Sequence, residues 1–527
     1  MFPAPLRHDP RRLLMNHRAG ASLTAAKFRI GIAVDTPNGP AWIRELVDFL
    51  MQVPQFEISL CPQKDAVPAA EPRASWLAAQ LIERSRHQFD PFAPGPASPL
   101  ALAHGKEKFD LILCLTPGTP ALGARYGSLS LQLGDRNIHP PYWGEVIARD
   151  PVSRVTLRWQ ENTLTPASVV RTAEVPTRRQ LGFTWNADRC LLAAAQMFAD
   201  VALNIFHEGP EWLTRARAFP EASELPERRS PNNLQCAAFA AREIYRSRTE
   251  PKPRPKGWFC ALRRDPSRFY QRLGHFDGAG FEEIPMPPGA QMADPFLVED
   301  NGRTWLFFEE VPPGTRKGRI CCVEVPKPGQ PFSKPEVVLE LDTHLSYPCV
   351  FRHEGDYFMI PESCATQDLR LYRTTRFPFE WQLESLLMED LPLTDTTPFF
   401  YDNQWYFFST TMPPVQHTVL LTSAKLGGPL RLHPDSPVSC SWQNTRAAGH
   451  LFTMGDRLIR PTQDCVAGYG YGIQMNEVTR LGPTEYAERA VDYIGPTWQR
   501  GLLGTHTLCS LGDVEVIDGR RYFPETK

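Results

Sequence analysis

No run of 18 or more consecutive apolar residues occurs in the 527-residue chain, so no segment reads as a membrane-spanning helix. The opening stretch MFPAPLRHDPRRLLMNHRAGASLTAAKFRI carries basic side chains but lacks the unbroken apolar core of a secretory leader. A cytoplasmic protein without membrane insertion is the resulting expectation. The 12 cysteines form no C-x-x-C pair and no Cys/His cluster at zinc spacing, which excludes zinc ribbons and dithiol redox centres. A chain this long buries a core without disulfide staples, so the cysteines, Cys321 and Cys322 included, are expected as reduced core residues. An excess of one charge is also missing. With 57 Lys and Arg against 59 Asp and Glu, the net charge of -2 offers no broad polyanion-binding surface, and nucleic acid is not an expected partner.

What the chain has in abundance is proline, 52 residues of it, which disfavours an all-helical protein and favours short strands joined by turns. The length calls for more than one domain. From Phe28, apolar runs alternate with amphipathic segments: FRIGIAVD, PAWIRELVDFLMQ, FEISLCP, ASWLAAQLIERSRHQF and FDLILCLTPGTP. That order predicts a doubly wound α/β sheet over 28–205, preceded by a flexible segment at 1–27. Ligands of such sheets sit beyond the strand carboxyl ends, here Asp35 to Asn38 and Thr116 to Thr119, unless these Gly/Pro/Thr turns only reverse the chain. A helix is expected in ADRCLLAAAQMFADVALNIF, then a helical and Pro-rich linker over 206–257 ending in RTEPKPRPKGW.

After Trp258 one plan recurs five times, in ADPFLVEDNGRTWLFFEE, SYPCVFRHEGDYFMIPES, DTTPFFYDNQWYFFST, AGHLFTMGDRLIRPTQD and GTHTLCSLGDVEVIDGRRYF. Aligned on Pro295, Pro348, Pro398, Leu451 and Thr507, the repeats are 53, 50, 53 and 56 residues apart. A period of that size with strand character throughout predicts an all-β propeller of five blades over 258–527. Innermost strands line the axis of such a fold, so residues just before each apolar run should meet there: Asp294, Tyr347, Thr397 with Asp395 upstream, His450 and His506. Second-strand ends add Glu310, Glu362, Arg460, Gln463 and Asp464. Converging carboxylates, imidazoles and an arginine suit a polar, hydroxyl-rich ligand, a glycan or a nucleotide sugar. Paired carboxylates also suit glycoside chemistry, one protonated and one ionised. Alternatively, Asp294 and Asp395 cap tight turns through their own backbone. His450 and His506 are 56 residues apart, no metal site is legible, and no cofactor is expected.

The repeats resemble the five-bladed propellers of arabinanase- and xylosidase-type glycoside hydrolases. Through ADPFLVED, YPCVF, TPFFYDNQWYFF and RLIRPTQDC they resemble still more the N-terminal domain of glucosamine inositolphosphorylceramide transferases. The hydrolase resemblance implies two aspartates and a glutamate on separate blades, the first at Asp294. Tyr347 stands where the second blade would carry an acid, which leaves Glu362, Asp395 and Asp464 for the remaining roles; Asp294, Glu362 and Asp464 are taken as the catalytic candidates.

The stretch GSLSLQLGD with PPYWGEVIARDPVSRVTL resembles the formyltransferase family. That chemistry needs an Asn and a His spaced N-x-H, and an Asp about 33 residues on, to stabilise an oxyanion and shuttle a proton. Here Ser130, Gln132 and Thr165 occupy those places. A glutamine is no general base near neutral pH, so this domain is expected to be catalytically degenerate. The N-x-H of NIHP, Asn137 to Pro140, lies only 11 residues before Asp150, too close for the family's loop and helix. The expected function is carbohydrate handling by the propeller, in glycosyl transfer or processing for polysaccharide or glycolipid assembly, with enzymes of glycan biosynthesis as possible partners. A remodelled amino-sugar formyltransferase and a non-catalytic sugar-binding scaffold are the alternatives.

Overall fold

The computed structural model describes residues 27–34, 42–62, 101–102, 108–115, 123–134, 142–177, 183–217, 231–249, 256–264, 276, 278–412 and 416–523. The chain divides into two compact units, with the change at Pro251 to Lys252.

The first unit is built on a seven-stranded sheet. Its strands are β1 (Phe28–Val34), β2 (Phe56–Pro62), β3 (Ala101–Leu102), β4 (Leu111–Cys114), β5 (Ser128–Leu133), β6 (Val152–Gln160) and β7 (Ser168–Pro176), in the order β3-β2-β1-β4-β5-β6-β7. Strands β1 to β5 pair in parallel and β6 and β7 continue antiparallel. Every residue of FRIGIAV except Arg29 is buried, the continuous apolar run expected of a parallel strand covered on both faces. The helices are α1 (Ile43–Leu50), α2 (Trp143–Ala148), α3 (Phe183–Glu208), α4 (Pro210–Arg217) and α5 (Asn233–Thr249). Helix α3 is long and apolar enough to cross a bilayer, but 78% of its most apolar window is buried inside the fold, where it packs on α1, β6 and β7. That burial is the behaviour of a core helix. The helix anticipated in ASWLAAQLIERSRHQF, the two strand-end turns at Asp35 to Asn38 and Thr116 to Thr119, and the NIHP motif lie outside the described residues.

The second unit is a five-bladed β-propeller. After β8 (Lys256–Arg264) and β9 (Glu282–Glu283), blade one is β10 (Gln291–Asp300), β11 (Arg303–Val311), β12 (Arg319–Glu324) and β13 (Glu336–Leu339). Blade two is β14 (Ser346–His353), β15 (Asp356–Glu362), β16 (Leu369–Arg376) and β17 (Glu380–Met388). Blade three is β18 (Leu393–Tyr401), β19 (Gln404–Thr411), β20 (Thr418–Ser423) and β21 (Arg431–Leu432). Blade four runs through β22 (Arg446–Ala447), β23 (Phe452–Met454), β24 (Arg457–Asp464), β25 (Gly472–Leu481) and β26 (Tyr486–Ile494). Blade five pairs β27 (Leu508–Leu511) and β28 (Val514–Tyr522) with β8 and β9, so strands from both ends of the unit share one sheet. This closure leaves no open seam in the ring. A buried Arg263 to Glu515 ion pair at 2.5 Å ties β8 to β28. Aromatic side chains fill the space between blades: Phe296, Phe307, Tyr347 and Tyr357 pack in one core, with Phe377 stacked on Tyr357 at 3.9 Å.

Each of the first three blades opens with the same local irregularity. The pairing of first and second strands slips between Ala293 and Phe296, between Ser346 and Cys349, and between Thr394 and Thr397. At each slip one residue takes a left-handed backbone: Asp294 (φ 53°), Tyr347 (φ 43°) and Asp395 (φ 51°). Such a backbone costs about 1–2 kcal/mol in most residues, is tolerated by Asp, and is unusual for Tyr. These bulges aim three side chains across the axis instead of along the sheet.

Candidate functional site

The bulge register places the axial residues. Asp395, not Thr397, is the third-blade counterpart of Asp294 and Tyr347; Thr397 matches Phe296 and Cys349. Alignment on Pro398 shifted the position by two, because blade three has Thr396 where the other two have proline directly after the bulged residue.

Neither aspartate caps its own turn. Asp294 accepts the Thr507 hydroxyl at 2.8 Å and the Tyr347 amide at 3.2 Å, tying blade one to blades five and two. His506 presents Nδ1 to Asp518 at 2.5 Å and to Asp294 at 3.7 Å, and the Asp518 carboxylate accepts the amides of His506, Thr507 and Asp294. Burial alone would depress the imidazole, yet Asp518 and Asp294 outweigh it, so His506 is raised. Burial raises Asp294, with His506 opposing and Asp518 reinforcing. Across the axis, Asp395 takes Arg446 at 2.7 Å and Gln463 at 3.3 Å, both from blade four. Burial outweighs Arg446 and pushes Asp395 up to about 6. The Tyr347 hydroxyl meets Thr397 at 2.8 Å and both the amide and carbonyl of Gly449, joining blades two, three and four.

Two glutamates complete the ring from the second strands. Glu362 accepts the Ser346 hydroxyl at 3.0 Å and the Cys364 amide at 2.8 Å. Glu309 is its blade-one counterpart, since Glu309 pairs with Ala293 as Glu362 pairs with Ser346. Burial pushes Glu309 well above the usual carboxylate range, and Asp294, Glu362, Asp395 and Asp518 all push the same way. His344 takes the Gly318 amide on Nδ1 at 2.9 Å, so its Nε2 carries a hydrogen and faces Glu309 at 3.3 Å. The chain passes so close that a Cβ on Gly318 would lie 2.5 Å from the Glu309 carboxylate.

Other expected ring members point elsewhere. Glu310 is on the opposite face of β11, bonded to Arg319 at 2.7 Å, because successive strand residues alternate faces. Arg460 is buried under Phe408 and paired with Glu488 at 2.6 Å, within blade four. His450 packs edge-on to Phe296 and burial lowers it to about 4, so it is neutral at pH 7. Asp464 accepts the Val466 amide and the Tyr493 hydroxyl. In the first unit, Ser130 and Gln132 lie on β5 opposite Arg158 and Thr156, while Thr165 sits in the β6 to β7 turn, beyond the Ser128 end of β5. Gln132 is near the other end, so these positions do not meet.

The sequence reading passed over Glu309, Asp518, Arg446 and His344. Glu309 could have been found from strand parity, and Asp518 from the acid that follows VEVI as Glu362 follows YFMIP. Asp294, His506 and Asp518 bring ligand atoms within 4.8 Å of one another, a set that could hold a cation. The same His506 Nδ1 lies 2.5 Å from the Asp518 carboxylate, a hydrogen-bond distance. The wall beside the ring is aromatic: Trp258 stacks on His506 at 3.8 Å and Tyr469 lies over Arg446 at 5.0 Å. Chemically, the buried ring gathers carboxyl groups, Glu309 pushed furthest up among them, with fixed donors and aromatic faces beside them.

Residues 282–501 match the family described as "Glucosamine inositolphosphorylceramide transferase 1, N-terminal". Glucosamine inositolphosphorylceramide transferase 1 of Oryza sativa subsp. indica is 32% identical over 251 residues, covering 44% of this chain and 34% of that protein. The Arabidopsis thaliana protein of the same name is 29% identical over 220 residues, covering 39% and 28%. The chain thus spans about a third of the length of these curated relatives. Among solved structures, an exo-β-1,3-galactanase from Clostridium thermocellum overlays with TM-score 0.33 and 11% identity over 40% of this chain and 53% of the other. An α-L-arabinanase of Cellvibrio cellulosa gives 0.29 and 12%, over 38% and 77%. The propeller assignment rests on the five sheets of this chain.

Proposed function

We propose that the chain handles carbohydrate: its propeller binds a glycan or activated sugar at the axial ring, for glycosyl transfer or processing in polysaccharide or glycolipid assembly. The observation that carries this is Glu309, a carboxyl that burial and then four neighbouring acidic groups push well above the usual range, facing the His344 Nε2 hydrogen. A carboxyl whose proton is held this firmly can hand it to the oxygen leaving a sugar C1, and the neighbouring Glu362 can take the proton of the incoming hydroxyl. The similarity to proteins named for glucosamine transfer onto a glycolipid supports a sugar as the ligand.

A second reading, a sugar-binding scaffold without turnover, is favoured by the bonds of Asp294 and Asp395, which are spent on joining blades. Separate Glu309→Gln and Glu362→Gln proteins, titrated with nucleotide sugars and oligosaccharides and assayed for transfer and hydrolysis, separate the two. Turnover abolished where saccharide binding is only weakened supports the enzyme; a native chain that binds without turnover supports the scaffold. A native chain that binds no saccharide refutes both. The formyltransferase alternative gains nothing from the separated Ser130, Gln132 and Thr165, and 10-formyltetrahydrofolate is expected to give no protection against unfolding.

A further inference from the structure

The segment Cys465–Gly472, CVAGYGYG, follows β24 directly, and the ring chemistry makes no use of its Tyr471. Two of its glycines, Gly470 and Gly472, are pressed into the wall. Gly470 has φ 59°, a Cβ there would lie 2.7 Å from the His506 ring and 2.9 Å from Trp258, and its carbonyl accepts the Thr505 amide at 3.0 Å. A Cβ on Gly472 would lie 2.2 Å from the Tyr493 hydroxyl. With the glycines locked inward, the tyrosines between them stay out: Tyr469 is 45% exposed, Tyr471 36% and Tyr493 41%. Tyr469 is the inner of the three, over Arg446 and edge-on to Trp258 and His506. Farther out, the Tyr493 hydroxyl donates to Asp464 at 3.0 Å, and the Asp464 carbonyl accepts the Tyr471 amide at 2.9 Å.

Rigid exposed tyrosines offer wide contact area at low entropic cost, and each joins an apolar face to a polar tip. That combination fits a sugar ring, whose C–H face packs on an aromatic ring while its hydroxyls seek an acceptor such as Asp464. Two such positions in succession, one beside the axial ring and one farther out, fit two successive sugars. We infer that Tyr471, Tyr493 and Asp464 form an outer saccharide subsite, so that the ligand is a chain of two or more linked sugar units. This rests on the sugar reading of the axial ring.

The test is binding of the full chain to an immobilised panel of mono-, di- and trisaccharides built from hexoses, hexosamines and uronic acids. Expected is a preference of about tenfold or more for a di- or trisaccharide over its own monosaccharide, lost in Tyr471→Ala and reduced in Tyr493→Phe, with monosaccharide binding unchanged. Glu309→Gln is expected to weaken both. Equal binding of mono- and oligosaccharides, or an oligosaccharide preference untouched by Tyr471→Ala, overturns the outer subsite alone. An oligosaccharide lost in Tyr471→Ala but fully held by Glu309→Gln leaves the outer subsite standing and removes the axial reading. Failure of every panel member to bind the native chain removes both.

Discussion

The axial ring contains two kinds of carboxylate, and their difference separates holding the fold from doing chemistry. Asp294 and Asp395 sit on bulges with left-handed backbones and have cationic or basic partners, one the raised imidazole of His506 and the other Arg446; each joins blades. Glu309 and Glu362 sit on second strands, and among the described residues no Arg or Lys forms an ion pair with either, although Arg446 acts on Glu362 through space. A paired carboxylate serves as a latch, whereas a carboxyl that burial and its neighbours raise well above the usual range has a proton to give. Selection for stability alone would have little reason to retain Glu309, since buried ionisable groups can often be replaced by neutral ones without loss.

The largest effect should come from breaking a latch. Arg446→Met leaves Asp395 buried without its cation, and a loss of about 3–5 kcal/mol in urea unfolding is expected. A loss below about 1 kcal/mol would show that Asp395 is not a latch. Next is the acid limb of stability. His450 is lowered to about 4 against an ordinary 6.5, so its contribution is complete above pH 6.5 and disappears as pH falls toward 4. His450→Phe should therefore flatten the fall in stability between pH 6.5 and 4 by up to ~3 kcal/mol. Asp395, raised to about 6, works with the opposite sign: its protonated form is favoured in the fold, and the stability it lends below pH 4 is lost as pH rises through 6. Asp395→Asn should remove that rise-dependent loss, read as a smaller difference in urea midpoint between pH 4 and 7. The smallest effect on stability is expected for Glu309→Gln, within about 0.5 kcal/mol of native, because a neutral amide replaces a neutral carboxyl.

Much of the propeller was legible because its repeat is long-range periodic: five hairpins at a near-constant spacing leave few other folds. The axial ring was legible only in part. Asp294, Tyr347, Asp395, Glu362, Gln463 and His506 do converge, but bulges shift register by amounts no spacing reveals, which is why Thr397 was placed where Asp395 belongs. Glu310 was preferred to Glu309 because both are carboxylates and only the pleat distinguishes their faces. Arg446 was hidden by blade four, whose axial end comes from the two-residue strand β22 and not from the His450 position. In the first unit the apolar run of β1 announced a parallel strand, while of the formyltransferase positions counted along the chain, Ser130 and Gln132 landed on β5 and Thr165 in the β6 to β7 turn.

The most direct measurement is Glu309→Gln studied for stability and ligand binding on one sample, by urea unfolding and by titration with the saccharide panel. The account predicts an unfolding midpoint at or near native with saccharide binding weakened about tenfold or more. A lowered midpoint with binding intact would contradict it, and would make Glu309 one more latch.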